Sequence, residues 1–161
     1  MKELYLSIKE YILDKLPVVQ HVDLWNEQIM NIEEEVPFLR PAAFIEFGIV
    51  EWTRVNKTQK SGNVPLRLHL VTDCYDFQAD GADALQSLDL LDELEGFMDG
   101  AALPGCTPML NTNTQIDNNH GNLIENITSY SFDYTKCIPS KKNLIPVTPN
   151  LQVDGEIKKP L

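Results

Sequence analysis

Between Leu68 and Thr135 the sequence has no lysine and no arginine, yet that stretch holds twelve carboxylates from Asp73 to Asp133. Over the whole chain 24 acidic residues face 13 basic ones, a formal charge of −11. So little base argues against wrapping of nucleic acid by the whole surface, because phosphate binding needs a basic face that releases counterions. It also disfavours docking on an anionic membrane. Cysteine is scarce: Cys74, Cys106 and Cys137 are odd in number and lack CxxC spacing, which speaks against a disulfide framework and for reduced thiols. Long apolar runs are missing too. The opening MKELYLSIKEYILDKL is interrupted by Glu3, Lys9, Glu10 and Asp14, so it lacks a signal-peptide core, and no run reaches membrane-spanning length. The sequons at Asn56 and Asn126 read as chance matches without such a signal.

What is present is enough for a core. With 43% hydrophobic and 8% aromatic residues in 161, one domain of this size buries roughly 70% of its unfolded surface and needs neither metal nor disulfide. Composition therefore predicts a soluble, acidic, intracellular single domain.

Leu4, Ile8, Tyr11, Ile12 and Leu16 fall at helical spacing over residues Lys2 to Leu16, and Pro17 stops the helix. Leu6 and Leu13 form a second stripe, either a further contact surface or two ordinary exposed leucines. A short strand is expected over Val18 to Trp25, followed by an acidic connection to Pro37 and Pro41. Ala43 to Val55 alternates strongly, as does Val64 to Phe77, and the loop between them contains Gly62. The pair reads as a long β-hairpin, with Pro65 near a strand start. Ala82 to Met98 reads as a second helix whose apolar residues cover more than the stripe of about 100° that one sheet face requires, so it should also touch helix one or another subunit. Strands over Thr107 to Ile116 and Leu123 to Ile138 follow, joined by the turn-forming DNNHGN. The expected fold is α+β: an N-terminal helix, a mainly antiparallel sheet of four to five strands with a long hairpin, and a second helix packed on the sheet. It spans residues 1–138. Residues 139–161 are Pro-rich but keep Leu144, Ile145, Val147, Leu151 and Val153, either a solvated tail or an extended arm that contacts a neighbour.

Chemical constellations are weak. Asp76, Gln78, Asp80 and Gly81 match the start of a calcium loop, but Ser87 stands where a bidentate Glu is required. His69, Cys74 and Cys137 suggest zinc until parity is considered, since His69 and Cys74 point to opposite faces of one strand. His21, His69 and His120 have no nucleophile signature, and no phosphate loop or HExxH is found. No catalytic residue, metal or cofactor is expected. The basic feature that remains is Arg54, Lys57, Lys60 and Arg67 at the tip and flanks of the hairpin, with Trp52 nearby. It suits an ionic contact with an acidic surface, and the chain offers one itself. The plain alternative is a solubilising loop.

The order helix, strand, long hairpin, helix, two strands, with RPAAFIEFGIVEWTRVNKTQKSGNVPLRLHLVTDCYDF at its centre, resembles the tail-terminator and neck (tail-completion) proteins of long-tailed bacteriophages and related prophages. The matching features are Pro41 ahead of the strand from Phe44 to Trp52, Lys60 and Gly62 in a polar loop, the strand Leu66 to Phe77, and the amphipathic helix Ala82 to Met98. The likeness covers about residues 1–138; the segment after Pro139 departs from it. The resemblance implies a structural virion protein, not an enzyme, assembled in the host cytoplasm. It implies a homo-oligomeric ring, hexameric by family resemblance, that caps the tail-tube protein and joins it to the head-connector or neck protein, with DNA at most passing through the lumen. Within that reading the expected interface residues are Trp52, Arg54, Lys57, Lys60, Arg67, Leu90, Leu94 and Phe97. A monomeric acidic adaptor or inhibitor-type binding domain is the rival reading, and a small hydrolase a third.

Overall fold

The computed structural model describes residues 1–27, 29, 38–73, 82–120 and 123–138. Helix α1 runs over Lys2–Lys15 and buries Leu4, Ile8 and Ile12, one turn apart. Each such burial contributes about 1.5–3 kcal/mol. The helix ends where Leu16 donates its N–H to the Ile12 carbonyl at 2.8 Å and Pro17 prevents another turn. Leu6 and Leu13, on the second stripe, are exposed.

Strands β1 (His21–Leu24), β2 (Ala42–Phe47), β3 (Thr53–Arg54) and β4 (Gln59–Asp73) precede helix α2 (Ala82–Met98), which is followed by β5 (Leu110–His120) and β6 (Leu123–Cys137). They form one sheet in the order β1-β2-β4-β6-β5, with β3 paired to β4. The fold is α+β as expected. The sheet has six strands instead of four to five, and β1 lies parallel to β2 while every other pair is antiparallel. The expected strand starts shift as well: β4 begins five residues earlier than Val64, and β5 runs beyond Ile116 with register shifts at Asn111/Asn113 and Asp117/His120.

The spine of the sheet is the pairing of β4 with β6, continuous from Gln59↔Cys137 to Asp73↔Leu123. Alternation then decides which residues meet the helices. Leu66, Leu68 and Leu70 of β4 and Tyr130, Phe132 and Tyr134 of β6 join Leu4, Ile8 and Ile12 of α1 and Leu91, Leu94 and Met98 of α2 in one core. On the opposite face Phe44, Val71 and Leu123 pack with Ala42 and Ile29, flanked by Trp25 and Phe38. Helix α2 also meets α1, through an edge-on contact of Tyr11 with Phe97 at 5.7 Å and a Tyr11 hydroxyl bond to the Phe97 carbonyl.

Pro65 lies inside β4, not near its start, and a local exchange explains why it is tolerated. Its carbonyl accepts the Gly48 N–H at 2.8 Å, and a proline has no N–H to return to the same neighbour. The β2 chain therefore leaves the sheet after Phe47. A Cβ at Gly48 would come within 2.9 Å of the Pro65 Cβ, so glycine is the residue that fits there. The expected strand from Ala43 to Val55 is thus split into β2 and the short β3.

On α2, Gly96 meets nothing within 4 Å of where a Cβ would stand, so no internal contact repays the roughly 0.5–1 kcal/mol that glycine costs relative to alanine in a helix. Beneath the helices, the Asn126 amide donates to the Ser87 hydroxyl at 2.8 Å and the Thr72 hydroxyl donates to the same oxygen at 3.0 Å, anchoring the first half of α2 to β4 and β6. The neighbouring Thr128 and Tyr130 hydroxyls are buried without a well-placed partner among the described residues. Burial pushes the Tyr130 phenol up to about 12.

Two outcomes follow for stability. Ile8→Ala should lower the urea-unfolding free energy by about 2–4 kcal/mol, whereas Leu6→Ala should change it by no more than about 0.5 kcal/mol. Because the phenol of Tyr130 titrates higher folded than its ordinary value of 10, its contribution is complete below that value and is lost as pH rises through the folded one. Tyr130→Phe should change neutral-pH stability by no more than about 1 kcal/mol, since the hydroxyl it removes has only a poorly placed neighbour in the Thr128 hydroxyl among the described residues. It should also flatten the alkaline fall in melting temperature between about pH 10 and 12.

Candidate functional site

The hairpin end is built by a tight turn. Val55 and Asn56 donate their N–H groups to the Gln59 carbonyl, and the Asn56 side-chain oxygen accepts from the Thr58 N–H at 2.8 Å. Asparagine closing on its own backbone in this way is a common turn device. It brings β3 alongside β4, with Arg54 opposite Lys60, while β6 places Lys136 opposite Lys60 on the other side. Residues directly opposite in an antiparallel pair share a face. Three cations therefore stand in a row across three strands, Arg54, Lys60 and Lys136, and Lys57 extends the row at the exposed turn.

Like charges directly opposite destabilise a sheet by up to about 1 kcal/mol per pair. Trp52 offsets part of that cost. The Lys136 ammonium lies 4.3 Å and the Lys60 ammonium 4.8 Å from its ring centroid, contacts worth about 0.5–1 kcal/mol each at exposed sites. Trp52 in turn rests edge-on against Tyr134 at 6.2 Å. Gly62 makes the close approach possible, for a Cβ there would fall 2.6 Å from the Glu51 carbonyl oxygen. Lys60 and Lys136 also line a cleft of about 310 Å³ with Lys2, Glu3 and Tyr134. The Met1 amino group on this cleft has its pKa lowered, first by burial and then by Lys136, with Glu3 acting the other way. Among the described residues Arg54, Lys57, Lys60 and Lys136 make no salt bridge; the pairs found are Lys15 with Asp14, Arg40 with Asp73, Arg67 with Glu46, and His69 with two glutamates.

The structure thus brings together Trp52, Arg54 and Lys60, with Lys57 at the tip, and adds Lys136. Arg67 stands apart. It belongs to the opposite sheet face, with Glu46 3.5 Å away, because seven residues of strand separate it from Lys60 and reverse its direction. Of the α2 positions expected at an interface, Leu94 is fully buried and Leu90 nearly so, both turned toward the sheet, and Phe97 is half-buried against Tyr11. The exposed apolar residues described on this helix are Leu85 and Leu88. Leu144, Ile145, Val147, Leu151 and Val153 lie outside the described residues, as do Cys74, Asp76, Gln78, Asp80 and Gly81 of the zinc and calcium candidates. Cys137 and His69 do not converge, since Cys137 pairs with Gln59, ten positions from His69 along β4.

Sequence reading missed a buried polar cluster on the second sheet face. His69 Nδ1 lies 2.5 Å from Glu125 and its Nε2 3.1 Å from Glu46, while Trp25 stacks on the ring at 3.9 Å and 5°. The cluster ties β2, β4, β6 and the segment after β1 together. Its geometry is that of a clamp, because the imidazole is buried under an indole and both ring nitrogens are engaged.

Replacing Lys136 by glutamate converts one like-charge cross-strand pair into an opposite one. Lys136→Glu should raise unfolding free energy by about 0.5 kcal/mol at low salt, with the gain shrinking in 1 M NaCl as screening sets in. Thermal melts at the two ionic strengths check it.

No family model matches the chain, and no curated protein sequence matches it. Among solved structures it is similar to a chain described as "Virion of native gene transfer agent (GTA) particle", at 11% identity over 83% of this chain and 95% of that one, with a TM-score of 0.48.

Proposed function

We propose that this chain is a structural subunit of a phage-like particle, and within it a subunit of the tail-terminator or neck ring that caps the tail tube and joins it to the head connector. The observation that carries the reading is polarity. A row of cations that make no salt bridge among the described residues stands at one end of β4, while the chain from Leu68 to Thr135 holds carboxylates and neither lysine nor arginine. A ring built from one kind of subunit needs two different, mutually complementary faces, because each copy presents one face to the copy before it and another to the copy after it. A monomeric binding domain has no such need. The order of elements, with α1 ahead of the sheet, a long hairpin and α2 beneath it, is the order on which the family resemblance rests. In this reading Trp52, Arg54, Lys57 and Lys60 form one of the two faces.

Native mass spectrometry at low ionic strength, supported by negative-stain images, should find a closed oligomer of several subunits. Lys57→Glu with Lys60→Glu should weaken it in a salt-sensitive manner, since the contact is ionic. A strict monomer across concentrations would favour the acidic adaptor instead.

A further inference from the structure

Among the described residues the cation row makes no salt bridge, yet the same chain carries a surface that answers it. On α2 the outward stripe is Leu85, Asp89, Asp92 and Gly96, flanked by Leu88 and Glu93, and the first three of these with both flanking residues are exposed. Successive members stand three, four or seven positions apart and therefore share one side of the helix. No base lies on this helix, and no salt bridge engages Asp89, Asp92 or Glu93 among the described residues. Like charges three and four apart destabilise a helix slightly, so the stripe, like the cation row, keeps a local cost that nothing among the described residues explains. Gly96 adds a second such feature: it sits at the C-terminal end of the stripe with open space around it, where the lack of a side chain lets another backbone approach.

The two surfaces stand apart on one molecule. The Ser87 end of α2 is held under Thr72, twelve residues along β4 from Lys60, roughly 40 Å at about 3.3 Å per residue, while Glu95 near the other end bonds Asn111, which is level with Leu66 through Tyr130, six residues from Lys60 and roughly 20 Å away. Their dimensions do match between molecules. The row Arg54, Lys60, Lys136 crosses two strand spacings, about 10 Å, and the stripe from Asp89 to Gly96 rises about 10 Å along the helix.

We infer that the row of Arg54, Lys60 and Lys136 beside Trp52 on one copy seats on the α2 face formed by Leu85, Leu88, Asp89, Asp92, Glu93 and Gly96 of a second copy. This deepens the ring reading and rests on it. Three carboxylates meet three cations, the aliphatic stems of the lysines and the Trp52 edge cover Leu85 and Leu88, and Gly96 admits the strand backbone. The contact is heterologous, because each copy offers the row at one end and the helix face toward the other.

Charge exchange tests the pairing. Four chains are compared by sedimentation equilibrium at low salt: the wild type, Lys60→Glu/Lys136→Glu, Asp89→Lys/Asp92→Lys, and the chain carrying all four changes. Circular dichroism confirms that each is folded. The wild type should associate, each double variant should lose at least tenfold in association constant, and the fourfold variant should regain most of it. An equimolar mixture of the two double variants should also associate. Gly96→Phe, which alters no charge, should lose association while remaining folded. If the wild type associates and the Asp89→Lys/Asp92→Lys and Gly96→Phe chains do so equally well, the α2 face is not the acceptor, and the ring reading stands without it. A wild type that stays monomeric sinks both. Retention of that monomer on duplex DNA, lost in Lys60→Glu/Lys136→Glu, would assign the row to phosphate instead.

Discussion

The pairing of β4 with β6 is the constraint from which the rest of this molecule follows. Fifteen consecutive partners, from Gln59↔Cys137 to Asp73↔Leu123, fix the direction of every side chain on the two longest strands. A slip by one residue would turn Leu66, Leu68 and Leu70 away from the helices and bury Arg67 in their place. The register is therefore held by the hydrophobic effect acting on one face. It has consequences on surfaces that the hydrophobic effect does not care about. It sets Lys136 opposite Lys60, His69 within reach of Glu125, and Asn126 under Ser87.

Much of this was legible in the sequence, and the parts that were not share a cause. Period-four spacing in α1 correctly marks Leu4, Ile8 and Ile12 as core, and period-two alternation assigns the β4 leucines to one face and Arg67 and His69 to the other. Such patterns are local. Lys136 escapes notice because its role depends on lying across from Lys60, 76 positions earlier, and register between distant strands leaves no mark in either strand alone. The His69 cluster is hidden for the same reason: its three titratable members come from β2, β4 and β6. The break after Phe47 is a different case. Gly48 and Pro65 are both visible in the sequence, but only their pairing turns a missing N–H into the point where β2 departs.

The glycines and the charges convey the same lesson about what a fold does not need. Gly62 has a clear internal reason, since the Glu51 carbonyl presses against the place where a Cβ would stand. Gly96 has none among its own neighbours. Likewise Arg67 and Arg40 are paired with Glu46 and Asp73, as expected of cations serving the fold, whereas the row at the hairpin end sets like charges side by side. A sequence shaped for the stability of the single chain alone would relieve such conflicts with single substitutions. Their persistence at a defined place is the kind of local inconsistency expected of a working surface.

Net charge alone would argue against association, for copies at −11 repel one another. The distribution of that charge reverses the conclusion at short range. Screening confines electrostatics to about 8 Å at physiological ionic strength, so two copies in contact respond to the facing residues and not to their totals. With the nearest part of the acidic helix face roughly 20 Å from Lys60, more than two screening lengths away, neither surface neutralises the other internally. Repulsion between the remaining acidic surfaces then works against random clustering while leaving one orientation favourable. In the proposed ring such an arrangement would favour joining end to face in a single sense, and that directional choice, more than the strength of any one ion pair, is what a heterologous assembly of identical subunits requires.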